Sequence, residues 1–320
     1  MFKTITSMTY SCSSNSTCGC SLDSAIVTKI IGGEEAMKNS WGWAVSIRIH
    51  NNHICGGSLI SSELVLTAAH CIVLVKTISS LSVTAGSKYL SMINQQRSVS
   101  QAFIPFNYDS TTYTNDIAII LLSSPFDMND RSLAFICLPP SIENYPPDDM
   151  TVIAIGWGVL STTEKTSSDT LQQVTLKTIS NGISACHISV YNENVQICAG
   201  VQGGGKGMKK EKILIFILDN ICCFQLDTCR GDSGGPLMMF SNQRWYIVGI
   251  TSYGNGCASP YYPGIYTRAS VYRKDIGCFL KNETSCIKKK FLVRNSVSSC
   301  SMNYLLISLF FILIKIINYQ

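Results

Sequence analysis

Gly231-Asp232-Ser233-Gly234-Gly235-Pro236 is a poor sequence for a packed element. A serine flanked by three glycines has little side chain to bury. It suits a tight turn at which the backbone must come close to another molecule. The surrounding chain indicates what holds such a turn. From Ile30 to about Ile276, short apolar runs recur: Trp43–Ile49, Leu64–Ala69, Ile117–Leu122, Val152–Ile155 and Trp245–Thr251. Gly, Pro, Asn and Ser separate them. Short runs with turn signals between them predict strands, and many such strands predict a sandwich or barrels. Helical periodicity is weak except near Ser270–Leu280.

The chain has 320 residues, enough for one large domain or two smaller ones with a full core. Charged residues make up 14% and hydrophobic residues 46%, which excludes a disordered chain. The net charge of +5 is scattered apart from Lys288-Lys289-Lys290. Without a basic stripe interleaved with aromatics, no nucleic-acid partner is expected. There are 15 cysteines. Cys18-Gly19-Cys20 and Cys222-Cys223 are too closely spaced for paired metal ligands, and no histidine lies near either. Disulfides in an oxidising compartment are the better reading, and the sequons at Asn15 and Asn282 fit an extracellular or cell-surface place.

Residues 1–29 read as a loose, polar leader. No signal peptide is visible there, so either the natural start differs or export takes another route. Two other segments stand apart. Gly207–Leu226 runs from Gly-Met-Lys-Lys-Glu-Lys into the apolar Ile213–Leu218. In the stretch 281–320, read as linker and tail, Leu305–Ile314 is apolar except for Ser308 and is broken by Lys315. That run is short for a spanning helix. The small residues Ser296, Ser298, Ser299 and Ser301 before it resemble a lipid-anchor signal with a short spacer. A transmembrane helix and a free end are the alternatives.

Three motifs carry chemistry. In Thr67-Ala68-Ala69-His70-Cys71 a histidine precedes a cysteine whose natural partner is Cys55, in Cys55-Gly56-Gly57-Ser58. In Asn115-Asp116-Ile117-Ala118 an acid sits just before a buried strand. Ser233 in the glycine turn is the third. Taken singly, each has a plain structural reading. Together they describe nucleophilic acyl transfer. A serine hydroxyl is a poor nucleophile until a base accepts its proton. A neutral imidazole can take that proton and return it to the leaving amine. A carboxylate behind it fixes its tautomer, and the order His70…Asp116…Ser233 is that of the chymotrypsin template.

Over roughly Ile30–Leu280 the chain resembles the chymotrypsin/trypsin family of serine proteases. The resemblance rests on Ile30-Ile31-Gly32-Gly33, the two motifs around His70 and Asp116, Gly156-Trp157-Gly158 and the Gly-Asp-Ser-Gly-Gly-Pro run. It implies an all-β fold of two six-stranded antiparallel β-barrels with a short C-terminal helix, the triad lying in the cleft between them. It makes His70 the general base, Asp116 its orienting acid and Ser233 the nucleophile, with the Gly231 and Ser233 N–H groups as oxyanion hole. Asp227 is the pocket acid that selects Arg or Lys, and Ser252, Gly254 and Gly264 belong to the substrate-binding walls. Cleavage after Lys29 would free the Ile30 amino group to pair with Asp232, since a buried acid needs a partner. Until then the pocket would be poorly ordered. The expected partners are protein or peptide substrates and protein protease inhibitors, with no cofactor.

The same resemblance implies the bridges Cys55–Cys71, Cys186–Cys198 and Cys229–Cys257, and a link from Cys137 to Cys18 or Cys20 that retains the leader after cleavage. Pairing of Cys12, Cys222, Cys223, Cys278, Cys286 and Cys300 is left open. A further family bridge is absent at both ends, where Val152 and Met239 stand. No carboxylate lies between Leu81 and Tyr108, where relatives bind calcium, so no metal is expected. Gly42 stands where relatives usually have proline, and Asp275 replaces the tryptophan of the closing helix. Arg230, at the pocket rim, should disfavour basic neighbours of the cut. Joining Lys206 to Asp227 leaves an ordinary family sequence, so Gly207–Leu226 reads as a translated, unspliced intron. The rival readings are a surface exosite loop, or a binding protein whose catalysis the block impairs.

Overall fold

The computed structural model describes residues 7–13, 15–28, 33–159, 166–200, 231–254 and 263–295. The strands are β1 (Ser7–Tyr10), β2 (Ala25–Thr28), β3 (Glu34–Glu35), β4 (Ala44–Ile49), β5 (Asn52–Leu59), β6 (Leu64–Thr67), β7 (Leu81–Ala85), β8 (Gln95–Pro105), β9 (Ala118–Leu122), β10 (Thr151–Gly156), β11 (Gln172–Ile179) and β12 (Gln196–Gly200). They continue as β13 (Pro236–Ser241), β14 (Arg244–Gly254), β15 (Gly264–Arg268) and β16 (Phe291–Asn295). The helices are short: α1 (His70–Val73), α2 (Ser184–His187), α3 (Arg273–Leu280) and α4 (Thr284–Lys290). All five apolar runs picked out in the sequence lie on strands, and Ser270–Leu280 is a 3-10 turn leading into α3.

Two closed antiparallel barrels result. In the first the order is β8-β7-β4-β5-β6-β9, with β8 pairing back to β9. In the second it is β10-β13-β14-β15-β12-β11, closed by β10 on β11. Closure removes the free edges that make open sheets sticky. Each barrel carries one extra strand outside the closed set, β16 on β8 and β3 on β11. Val45, Ile47, Leu66, Val83 and Ile119 fill the first core, and Val152, Leu176, Ile197, Leu237, Met239 and Val248 the second. Val152 and Met239 thus share one apolar cluster where a disulfide was expected to be missing. Packing takes the place of the covalent link.

The described part of the leader is not loose. β1 and β2 form an antiparallel hairpin in which Ala25 and Val27 are buried. Tyr10 stacks against Phe240 at 5.2 Å and Trp245 at 4.8 Å. Gly19 donates its N–H to Phe135 O at 2.6 Å and accepts from Trp245 N at 2.9 Å. Its φ of +71° and the backbone of Trp245 beside it leave no room for a side chain. The choice left open for Cys137 falls on Cys18, and Cys55–Cys71, Cys186–Cys198 and Cys278–Cys286 are also bonded. Cys229 and Cys257 lie outside the described residues, as does the block 207–226.

The stretch read as linker is folded up to Asn295. Cys278–Cys286 ties α4 to α3. Asp275 accepts a 2.7 Å ion pair from Lys290. Phe279 stacks between Phe103 at 4.9 Å and Phe291 at 5.0 Å. The closing helix that lacks the expected tryptophan is held instead by this later segment.

Candidate active site

Asp116 is fully buried at the start of β9. Its carboxylate has a dense set of donors. The His70 N–H reaches Oδ1 at 2.9 Å and His70 Nδ1 reaches Oδ2 at 2.8 Å. The Ser252 hydroxyl, from β14 in the other barrel, also donates to Oδ2. Thr267 Oγ1 donates to the Asp116 carbonyl at 2.7 Å, and Tyr272 donates to Asn115 Oδ1 at 2.7 Å. A buried carboxylate needs this density of partners. The acid is therefore fixed from both barrels, and it holds the imidazole by its backbone as well as by its ring. An Nδ1–H donated to Asp116 leaves Nε2 as the ring's free acceptor position. The His70 side chain is 19% exposed, so one edge of it faces the cleft. Tyr113 stands edge-on to the ring at 5.8 Å.

The serine turn docks on β5. Gly56 N donates to Ser233 O at 2.8 Å, and Thr67 Oγ1 donates to Gly56 O at 2.9 Å. Gly56 follows Cys55, which is bonded to Cys71 beside His70. One short stretch of β5 therefore ties the serine turn to the histidine loop. The turn itself closes through Gly235 N to Asp232 O at 2.9 Å and Gly234 N to Thr251 O at 2.8 Å. Gly234 has φ +79°, and a Cβ there would strike Thr67 and Gly56. The turn is thus packed hard against β5 and β6 of its own chain.

Asp232 points away from the cleft and lies against Gly156 and Gly158, where a Cβ on either glycine would collide with its carboxylate. Gly158 N donates to Oδ1 at 2.7 Å. Burial pushes the Asp232 carboxyl up to about 6, against the pull of that N–H.

The sequence reading gave His53 no role. Its Nε2 donates to the Gly231 carbonyl at 2.9 Å, and its Nδ1 accepts from the Ser46 hydroxyl at 2.8 Å. Arg48 Nε donates to the same Ser46 oxygen at 3.1 Å. Burial first, then Arg48's charge, bring His53 down to about 4, so the ring is neutral near pH 7 and keeps this tautomer. Held through its carbonyl, the Gly231 peptide is oriented from outside the turn. Nothing local marks His53 in the sequence, because its partner is 178 residues away.

Gly254 and Gly264 sit directly opposite each other on β14 and β15. Ser252, expected among the pocket walls, donates its hydroxyl to Asp116. Asp227, Lys29 and Ile30 lie outside the described residues. Among the described residues, two clusters bring three possible metal-ligand atoms together, Cys55-His70-Cys71 and Cys278-Glu283-Cys286. Both are built on disulfide sulfurs, whereas a metal takes thiolates.

A family model described as Trypsin matches residues 30–276. Transmembrane protease serine 11G of Mus musculus is 34% identical over 276 residues, covering 85% of this chain and 59% of the relative. The protein of the same name from Rattus norvegicus is 33% identical with the same coverage. Transmembrane protease serine 11C of Mus musculus is 32% identical over 77% of this chain and 52% of its own length. The chain thus spans less than two thirds of these curated relatives.

Proposed function

Because the chain belongs to the trypsin family of serine proteases, we propose that it is an endopeptidase cutting after Arg or Lys, activated by cleavage after Lys29. Ser233 attacks the scissile carbonyl, and His70 takes its proton and later gives it to the leaving amine. Asp116 holds the imidazole in the accepting tautomer. The Gly231 and Ser233 N–H groups stabilise the oxyanion, each such donor contributing about 3 kcal/mol in the transition state. Asp227 pairs with the substrate's basic side chain, and Gly254 and Gly264 leave room for it. The observation that carries this reading is the His70–Asp116 pair at 2.8 Å, with the serine turn tied to the histidine loop through β5. The substrates are proteins or peptides, and protein inhibitors that present a basic residue fit the same cleft. The relatives are named as transmembrane proteases. For this chain an extracellular or cell-surface place is proposed, with anchoring through the tail beyond residue 295. No helix among the described residues is long and apolar enough to cross a bilayer.

The direct test compares the chain before and after cleavage at Lys29. Small amides of Arg and Lys should be hydrolysed only by the cut form, and amides of Leu and Glu by neither. Cutting of Leu amides at equal rate would overturn the assigned specificity. Activity confined to transcripts lacking the 207–226 block would favour the intron reading, whereas the block in every spliced message would refute it.

Activation also has a pH signature. In the uncut chain Asp232 has a raised value of about 6, so the folded state holds a proton that the unfolded chain releases near pH 4. Stability should therefore fall as pH rises from about 4 to about 6, by at most about 3 kcal/mol. After cleavage the Ile30 ammonium pairs with the carboxylate and the fall should shrink. Urea unfolding of the Ser233→Ala chain at pH 4 and pH 7, cut and uncut, measures this. Identical pH dependence in the two forms would sink the pairing.

A further inference from the structure

Beyond Ile276 the chain leaves the matched family region and crosses to the first barrel. β16 pairs antiparallel with β8, Phe291 opposite Pro105 and Asn295 opposite Gln101. Phe106 N donates to Lys290 O at 3.0 Å, extending the ladder. The Cys278–Cys286 bridge, the Lys290–Asp275 ion pair and the Phe103–Phe279–Phe291 stack fix where this strap lies. It brings Arg294 to the loop that begins at His70. Arg294 Nη1 donates to Ile72 O at 2.6 Å and Val73 O at 3.3 Å. Its Nη2 donates to Val75 O, and to Lys76 O at 3.5 Å.

We infer that Arg294 is a positioning residue for the His70 loop, clamping its carbonyl end from a strap that lies outside the family match. α1 has only four residues, and so short a helix has no stability of its own. At its end Ile72 O accepts from Val75 N at 3.1 Å, and Arg294 adds bonds to Ile72 O and to the Val73, Val75 and Lys76 carbonyls. Other anchors hold the segment: Asp116 on the His70 N–H, the Cys55–Cys71 bridge, the buried Ile72 and the buried Val75. Between the last two, Val73 is partly exposed and Leu74 is 84% exposed, so nothing apolar restrains the chain there. The guanidinium supplies that restraint. Its planar fork suits several carbonyls at once, which an ammonium does not. Small displacements of a catalytic group cost rate strongly, whereas binding at a separate pocket is spared.

This inference rests on the catalytic reading of His70, and its test separates the two. Arg294→Met keeps the aliphatic stem and removes the donors; Arg294→Lys keeps the charge and one donor head. In the Lys29-cut chain, Arg294→Met should lower kcat for an arginine amide about tenfold at unchanged KM. Amide hydrogen exchange should rise over residues 70–77 and stay unchanged in the second barrel. Arg294→Lys should restore part of both, and it carries the comparison alone if the Met variant does not fold. Unchanged exchange over 70–77 would overturn the clamp. Faster exchange with unchanged kcat would overturn the positioning role. If the wild-type chain is as inactive as Ser233→Ala, the catalytic reading has failed, and exchange alone decides the clamp.

Discussion

Replacing Ser233 with alanine should lower kcat for small arginine amides by roughly a millionfold while leaving the fold intact. Three of the bonds that hold the turn run between backbone groups. Gly56 donates to the Ser233 carbonyl, Gly234 donates to Thr251, and Gly235 donates to Asp232. Alanine keeps the backbone donors and acceptors of all three bonds, so activity lost by a variant that stays folded belongs to the chemistry. The remaining oxyanion donors and binding pocket would still give a residual rate above that in water. The measurement is kcat of the Lys29-cut variant beside a thermal scan. A folded variant keeping a tenth of wild-type activity would defeat the nucleophile assignment.

Asp116→Asn should cost roughly ten-thousandfold in kcat, the loss found when the chymotrypsin template's acid becomes its amide. The reason can be read from the contacts. Both carboxylate oxygens accept, from the His70 N–H on one side and from His70 Nδ1 and Ser252 on the other. An amide offers one acceptor and two donors. If its oxygen faces the His70 N–H, its NH2 group confronts Nδ1 and the imidazole must carry its proton on Nε2. That is the wrong tautomer for accepting a proton from serine. KM for small amides should be unchanged, because Asp116 is fully buried and remote from solvent. A drop of less than tenfold would show that the ring is held in its tautomer by something else.

Much of this site was legible before any coordinates. The motifs, with the family resemblance they carry, named His70, Asp116 and Ser233, and the first two do meet. The strand runs were plain in the sequence, and the resemblance implied the Cys55–Cys71 and Cys186–Cys198 bridges. What stayed hidden depends on contacts across long stretches of chain. His53 reaches Gly231 over 178 residues, and Ser252 reaches Asp116 over 136. The β1–β2 hairpin was masked by its serines and threonines, which read as a loose leader until Tyr10, Ala25 and Val27 find apolar partners. The strap was hidden for a different reason. Lys288-Lys289-Lys290 stood out in the sequence only as a short run of charge, and nothing there pointed to Asp275 on α3 as the partner of Lys290. The pairing of Cys278 with Cys286 has no signature beyond proximity in sequence.

The ring closed by Cys278 and Cys286 encloses Lys281, whose side chain is 74% exposed in the turn between α3 and α4. Under the proposed specificity for Arg and Lys, copies of the protein would cut one another, and this turn offers them a site. A nick after Lys281 would not release the strap, because the disulfide spans the break. Autolysis there would leave a molecule that divides on a reducing gel but stays whole, and still clamped at its histidine loop, in solution.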